Sequence, residues 1–263
     1  MMKYVIGGNW KMKRGIQDSI DVAKEMVNEL EKYDNIEIFI APSYTSLRDL
    51  AKIFEGTNIK LAAQNMHEKD KGSYTGEISP VWLKDCGCEY VILGHSERRR
   101  VYNESSERIN EKVLKALEIG LKPVLCVGES AEERNNGQAE EINGTQLEVS
   151  LKEVSSEQIQ NFVIAYEPVW AINSRALNPV GEIRAATRKE AEEMHNFIRN
   201  WLVNQYGDEI GNSIPLQYGG SVDKDNCKKF FTVDNINGGL VGTASIKATD
   251  FEPIVGTASE LMK

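Results

Sequence analysis

The chain has 263 residues, 41% of them hydrophobic and 27% charged, the balance of a globular protein that buries one substantial core, which excludes disorder and fibrous structure. Lys and Arg number 31 against 40 Asp and Glu, a net charge of −9; that field repels nucleic-acid backbones and anionic lipid, so an anionic substrate needs a local cation to draw it in. No apolar run reaches the ~18 residues of a membrane helix, and Met1-Met2-Lys3-Tyr4-Val5 opens no secretion signal, so a cytoplasmic location is expected.

Short apolar or β-branched runs predict strands at Tyr4 to Gly8, Ile36 to Ala41, Ile59 to Gln64, Tyr90 to Gly94, Pro123 to Val127, Phe162 to Tyr166, Ile214 to Tyr218 and Gly238 to Val241. Amphipathic segments alternate with them, as at Ser19 to Tyr33, Ser106 to Ile119 and Thr187 to Tyr206. No Pro/Ser/Gly-rich linker divides the chain, so one domain spanning 1–263 is expected. Parallel strands need crossovers, and eight successive βα units in a chain of about this length favour a closed (β/α)8 barrel over an open, doubly wound sheet. Active-site residues of such a barrel stand at the carboxyl ends of its strands.

Those ends carry chemistry. Gly7-Gly8-Asn9-Trp10-Lys11-Met12 follows the first strand and puts an ammonium at the mouth. Gly94-His95-Ser96-Glu97-Arg98-Arg99 follows the fourth and delivers an imidazole at a helix start. Ala165-Tyr166-Glu167-Pro168-Val169-Trp170 follows the sixth and supplies a carboxylate in front of a stiff Pro. Tyr218-Gly219-Gly220-Ser221 and Gly242-Thr243-Ala244-Ser245 follow the seventh and eighth; glycine-rich turns let backbone N–H groups approach an anion. A cation, an electrophile, a base and an anion cradle together make a site, where each alone is more often a solvated or structural residue. The four cysteines, Cys86, Cys88, Cys126 and Cys227, form no Cys-x-x-Cys pair, and His67, His95 and His195 lie far apart, so neither a metal site nor a disulfide framework is expected. Cys126, Cys86 and Cys88 read as buried small residues.

With these stretches, together with Ala63-Gln64-Asn65, Thr75-Gly76-Glu77 and Cys126-Val127-Gly128-Glu129, the chain resembles the triosephosphate isomerase family from Gly7 to its C-terminal helix. The resemblance implies interconversion of dihydroxyacetone phosphate and glyceraldehyde 3-phosphate, in glycolysis and gluconeogenesis, with no cofactor. It implies that Glu167 is the base, His95 the group that polarises the carbonyl, and Lys11 the cation, with Asn9, Asn173, Ser221, Gly242 and Thr243 binding substrate. Ser96, Glu97 and Tyr218 take supporting roles. Lys71-Gly72-Ser73-Tyr74-Thr75-Gly76-Glu77 resembles the family's protruding loop, which implies a homodimer formed through Gly72 to Glu77.

Two departures stand out. The family's lid after the catalytic Glu runs through a short Gly-Thr-Gly-Lys-Thr-Ala, whereas here fourteen residues, Asn173 to Ala186, separate Ile172 from Thr187, so the lid region is longer by roughly eight residues. Leu177, Val180 and Ile183 are expected to pack it over the mouth, with Pro168 and Pro179 restricting its backbone and Tyr218 and Ser221 latching it. The eighth-strand turn reads Gly242-Thr243 where the family has two glycines, which adds a side chain beside the phosphate. A longer lid keeps open an isomerase for a related ketose phosphate, such as L-erythrulose 1-phosphate, and a catalytically silent barrel that only binds.

Overall fold

Eight parallel strands pair in chain order and close on themselves in the computed structural model, which describes residues 4–178 and 184–262. They are β1 (Val5–Asn9), β2 (Glu37–Ala41), β3 (Ile59–Ala63), β4 (Tyr90–Leu93), β5 (Lys122–Val127), β6 (Val163–Tyr166), β7 (Leu216–Tyr218) and β8 (Gly238–Val241). Val5 faces Glu37 on one side and Gly238 on the other, so β1 joins the first and last edges and no strand edge is left open. The expected (β/α)8 barrel is the architecture observed.

Period-two alternation sorts the core into two layers. Val5, Phe39, Ala62, Tyr90, Val124, Cys126, Val163 and Leu240 share the smaller apolar cluster, with Phe39 stacked on Tyr90 at 4.9 Å. Their neighbours Ile6, Ile38, Ile40, Leu61, Val91, Leu125 and Ile164 join the larger cluster, which takes in Met26, Leu50, Ile109, Leu147, Ile198 and Phe251 from the surrounding helices. No described helix is long and apolar enough to cross a membrane.

Several boundaries differ from expectation for local reasons. The first long helix runs Ile16–Leu30; Ser19 does not cap it but sits buried inside, its hydroxyl donating to the Gly15 carbonyl one turn back at 2.7 Å. The helix ends at Leu30, and Tyr33 folds over instead to hydrogen-bond Glu252. Ser106–Glu118 and Arg188–Tyr206 lie within a residue of expectation. Thr187 caps the latter through a reciprocal pair with Glu190. Cys86 is only half-buried, because Gly87, at φ +86°, turns the chain out before Cys88 re-enters the core. Cys88 and Cys126 are buried, and burial raises both thiols above their ordinary value.

Candidate active site

The strand ends converge on a mouth of about 350 Å³ lined by Asn9, Lys11, His95, Glu167, Asn173, Ser221, Gly242 and Thr243. Each is held by its own element. Asn9 ends β1, and its Oδ1 accepts the Lys11 N–H at 3.0 Å while Gln64 Nε2 donates to the Lys11 carbonyl at 2.8 Å. The two bonds hold Lys11 in the left-handed region, φ 51°, where a side chain with a β-carbon is strained. From there its ammonium reaches Glu97 Oε1 at 3.0 Å.

His95 follows β4 through Gly94, whose φ of +69° makes the sharp turn that a bulkier residue resists. Arg99 fixes the turn from behind by donating to the Gly94 carbonyl at 2.8 Å; burial lowers its pKa to about 10, so it stays charged at neutral pH. His95 caps helix Ser96–Val101, and its Nδ1 accepts the Glu97 N–H at 3.2 Å. With Nδ1 accepting from the backbone, Nε2 is the ring nitrogen that carries a proton and presents a donor to the mouth.

Glu167 follows β6 and is almost wholly buried, 2% exposed. Oε1 lies 3.0 Å from His95 Nε2, and Oε2 accepts the Ser96 N–H at 2.8 Å. Burial pushes this carboxyl up, but the His95 pairing, the Ser96 N–H and the Lys11 charge outweigh it and hold it below the ordinary value. Gly219 has no side chain for good reason: a β-carbon there would stand 2.8 Å from Glu167 Cγ and displace the carboxylate.

Tyr218 does not line the mouth. It lies wholly buried beneath it, stacked on Phe230 at 4.2 Å with His195 at 6.2 Å. Ser221 donates through both its hydroxyl, at 2.9 Å, and its N–H, at 3.2 Å, to the Ala171 carbonyl, joining the β7 turn to the stem of the lid. Residues 173–178 fold back on that stem, with Asn178 Nδ2 donating to the Val169 and Ile172 carbonyls at 2.9 and 3.0 Å and Ser174 Oγ to Glu97 Oε1 at 3.2 Å. Leu177 is half-buried; Pro179, Val180 and Ile183 lie outside the described residues. At the far side Arg184 stacks over the Trp170 ring at 4.2 Å and grips Glu190 with two bonds at 2.9 and 2.6 Å.

Two supports escaped the sequence analysis. Glu129, at the end of β5, is fully buried and accepts from Tyr166, Trp170, Arg134 and Asn143, each at 2.9 Å, so the residues flanking Glu167 hang on one carboxylate. Lys112 is buried with Glu104 at 2.6 Å and Asn65 at 3.1 Å behind helix Ser96–Val101, and Arg98 joins Glu104 at 2.6 Å. Lys112 had a signal: it falls on the apolar stripe of Ile109, Val113 and Ala116.

A carboxylate, an imidazole and an ammonium group gathered at the carboxyl ends of a closed eight-stranded barrel form the kind of mouth found in (β/α)8 enzymes. A model of the family described as triosephosphate isomerase matches residues 4–258. Relatives named triosephosphate isomerase include one from Fusobacterium nucleatum, 42% identical over 97% of this chain and 98% of its own length. Another, from Caldanaerobacter subterraneus, is 44% identical over 97% and 99%. The crystal structure of triosephosphate isomerase from Bartonella henselae matches with a TM-score of 0.86 at 37% identity, covering 97% of this chain and 99% of that one. This chain belongs to the triosephosphate isomerase family and is an intramolecular aldose–ketose isomerase.

Proposed function

We propose that the chain interconverts dihydroxyacetone phosphate and D-glyceraldehyde 3-phosphate with Glu167 as the base, His95 as the electrophile and Lys11 as the cation that draws in the phosphate ester. The observation that carries this is the 3.0 Å contact in the mouth between Glu167 Oε1 and Nε2 of His95, whose Nδ1 accepts the Glu97 N–H. The Glu167 carboxylate takes a proton from C1 of the ketose while His95 Nε2–H hydrogen-bonds the C2 oxygen, giving an enediol(ate). Glu167 then returns the proton to C2, the hydroxyl proton passes between the two oxygens, and C1 becomes the aldehyde. Atoms and electrons balance within one substrate molecule, so no cofactor is needed. Asn9 orients Lys11; Asn173, Ser221, Gly242 and Thr243 hold the phosphate; Ser96 and Glu97 set the resting positions of Glu167 and Lys11, and Tyr218 supports the β7 turn from below.

The protein acts as a cytoplasmic homodimer of single-domain subunits. A second cavity beside the first is lined by Met12, Gly76, Glu77 and Tyr102, and Met12 (96% exposed) and Tyr102 (63%) leave apolar surface there, which a partner's Gly72–Glu77 loop would cover. A coupled assay with triose phosphates and L-erythrulose 1-phosphate side by side tests the reading. Preference for the triose is expected, with Glu167→Gln folded but at least about 10³-fold slower. Preference for the tetrulose, or a Gln variant above about a tenth of the parent rate, would overturn the substrate or the base assignment respectively.

A further inference from the structure

The segment after β1 brings another ammonium group to the β8 turn that borders the mouth. Lys13 Nζ donates to the Thr243 hydroxyl at 2.7 Å. Thr243 opens the 3-10 turn Thr243–Ile246, and Arg14 hydrogen-bonds the Ile246 carbonyl at the other end of that turn. The β1 segment is therefore fastened to the β8 turn at two points, which fixes where Lys13 stands. Lys11 approaches the same turn from the barrel side: a β-carbon on Gly242 would lie 3.8 Å from Lys11 Cε. Gly242-Thr243 thus has a lysine on each side.

Charge around the mouth gives this pairing a use. Among the described residues Asp223, Asp225 and Asp250 line it with Lys11 and Lys224 as the lysines, Lys11 is already paired with Glu97, and the whole chain carries −9. A phosphate dianion entering that field is repelled unless another cation offsets it. Thr243 accepts from Lys13 through oxygen, so its own hydroxyl hydrogen stays free to donate, and Lys13 keeps two further N–H donors. A glycine at 243 would offer neither the hydroxyl nor a docking point for the ammonium.

We propose that Lys13 is a phosphate-binding residue of this mouth, positioned by the Thr243 hydroxyl, and that the pair sets the affinity for the phosphate group of the substrate. The proposal rests on the sugar-phosphate reading of the site, yet it concerns anion binding and is measurable without turnover. Because both side chains are exposed, the effect is modest and sensitive to salt.

The test uses Lys13→Gln, Lys13→Arg, Thr243→Val and the Gln/Val double variant of the full chain. Calorimetry measures the Kd of 2-phosphoglycolate at several ionic strengths, and steady-state kinetics compare glyceraldehyde 3-phosphate with glyceraldehyde, which lacks the phosphate. Lys13→Gln should raise Kd and KM about three- to tenfold and flatten the salt dependence, with turnover of glyceraldehyde kept. Lys13→Arg should restore most of the loss. Thr243→Val should weaken binding less than Lys13→Gln, and the double variant should lose less than the sum of the two single losses, since part of the threonine's effect acts through the lysine. An unchanged Kd and salt slope in Lys13→Gln, or an equal loss on glyceraldehyde, would overturn the assignment. A parent protein that binds 2-phosphoglycolate in this Lys13-dependent way but does not isomerise triose phosphate would instead overturn the functional reading and leave the Lys13 site standing.

Discussion

Removing the Glu129 carboxylate should loosen Glu167, the proposed base, without touching it. In Glu129→Ala four donors lose their acceptor together: the Tyr166 hydroxyl, the Trp170 indole N–H, Arg134 and the Asn143 amide. Tyr166 immediately precedes Glu167 and Trp170 follows it by three residues, so both flanks of the base lose their anchor. Arg134 can turn to solvent, being 18% exposed, but Tyr166 and the indole cannot. Breaking a buried charged network on one side costs about 3–5 kcal/mol. For 263 residues, with an unfolding entropy of about 2.1 cal/mol/K per residue, this corresponds to a Tm lower by about 5–9 °C. Glu129→Gln keeps an acceptor for Tyr166 and Trp170 and loses chiefly the charge on Arg134, so it should cost about 1–2 kcal/mol. Melting at fixed protein concentration, with kcat/KM measured beside it, should rank parent, Gln and Ala in that order for both quantities. An Ala variant melting within about 1 °C of the parent with unchanged kcat/KM would refute the anchoring argument.

Deleting Ser73 to Gly76 should shift the species seen by sedimentation toward monomer with loss of turnover; an active monomer would remove the loop from the proposed interface. His195 is fully buried between Tyr166 and Tyr218, and burial lowers its pKa to about 4. Above pH 6.5 it is neutral in both folded and unfolded chains, whereas between pH 6.5 and 4 only the unfolded chain takes up the proton, so stability falls by about 3 kcal/mol across that window. His195→Gln should flatten this part of the acid decline, and parallel stability curves for parent and variant would exclude His195 as its source. Binding of 2-phosphoglycolate between pH 5 and 7 should draw protons from the buffer, read by calorimetry in buffers of different ionisation heat, and Glu167→Gln should abolish the uptake. An unchanged uptake in that variant would assign the proton elsewhere.

The barrel was legible because each strand is a short apolar run closed by glycine or a polar turn, and eight such runs in this length leave few topologies. Helix starts were harder. The first long helix begins at Ile16, directly after the extended Gly15 and three residues before the segment expected from Ser19, whose hydroxyl is satisfied inside it. The mouth residues Asn9, Lys11, His95 and Glu167 could be gathered because strand order places every carboxyl end on one rim. Glu129 and Glu104 could not be weighed that way. Whether a carboxylate is buried depends on which donors reach it, and those arrive from Asn143, Trp170 and Arg134 in one case and from Lys112 and Arg98 in the other. Local propensity carries no trace of such meetings. The contact between Lys13 and Thr243 is of the same kind, joining positions 230 residues apart.

A carboxylate held below its ordinary pKa is a weak base, and proton abstraction from carbon asks for a stronger one. The balance of causes at Glu167 contains the answer. Burial is the largest influence and favours the protonated form; only the His95 contact, the Ser96 N–H and the Lys11 charge reverse it. Two of these bonds are to groups a substrate would engage or displace: His95 Nε2 turns to the substrate oxygen, and a carboxylate that reaches for a carbon-bound proton gives up Ser96. Burial would then act alone, reinforced by the substrate's own negative charge, and the proton affinity of Glu167 would rise as the site closes around it. In the proposed mechanism the resting contacts keep Glu167 ionised and parked, and releasing them would make it basic. Gly219 leaves the room that the resting Glu167 side chain needs, and the Glu129 bonds hold the chain on either side of it, so the proposed movement of Glu167 starts from a fixed place.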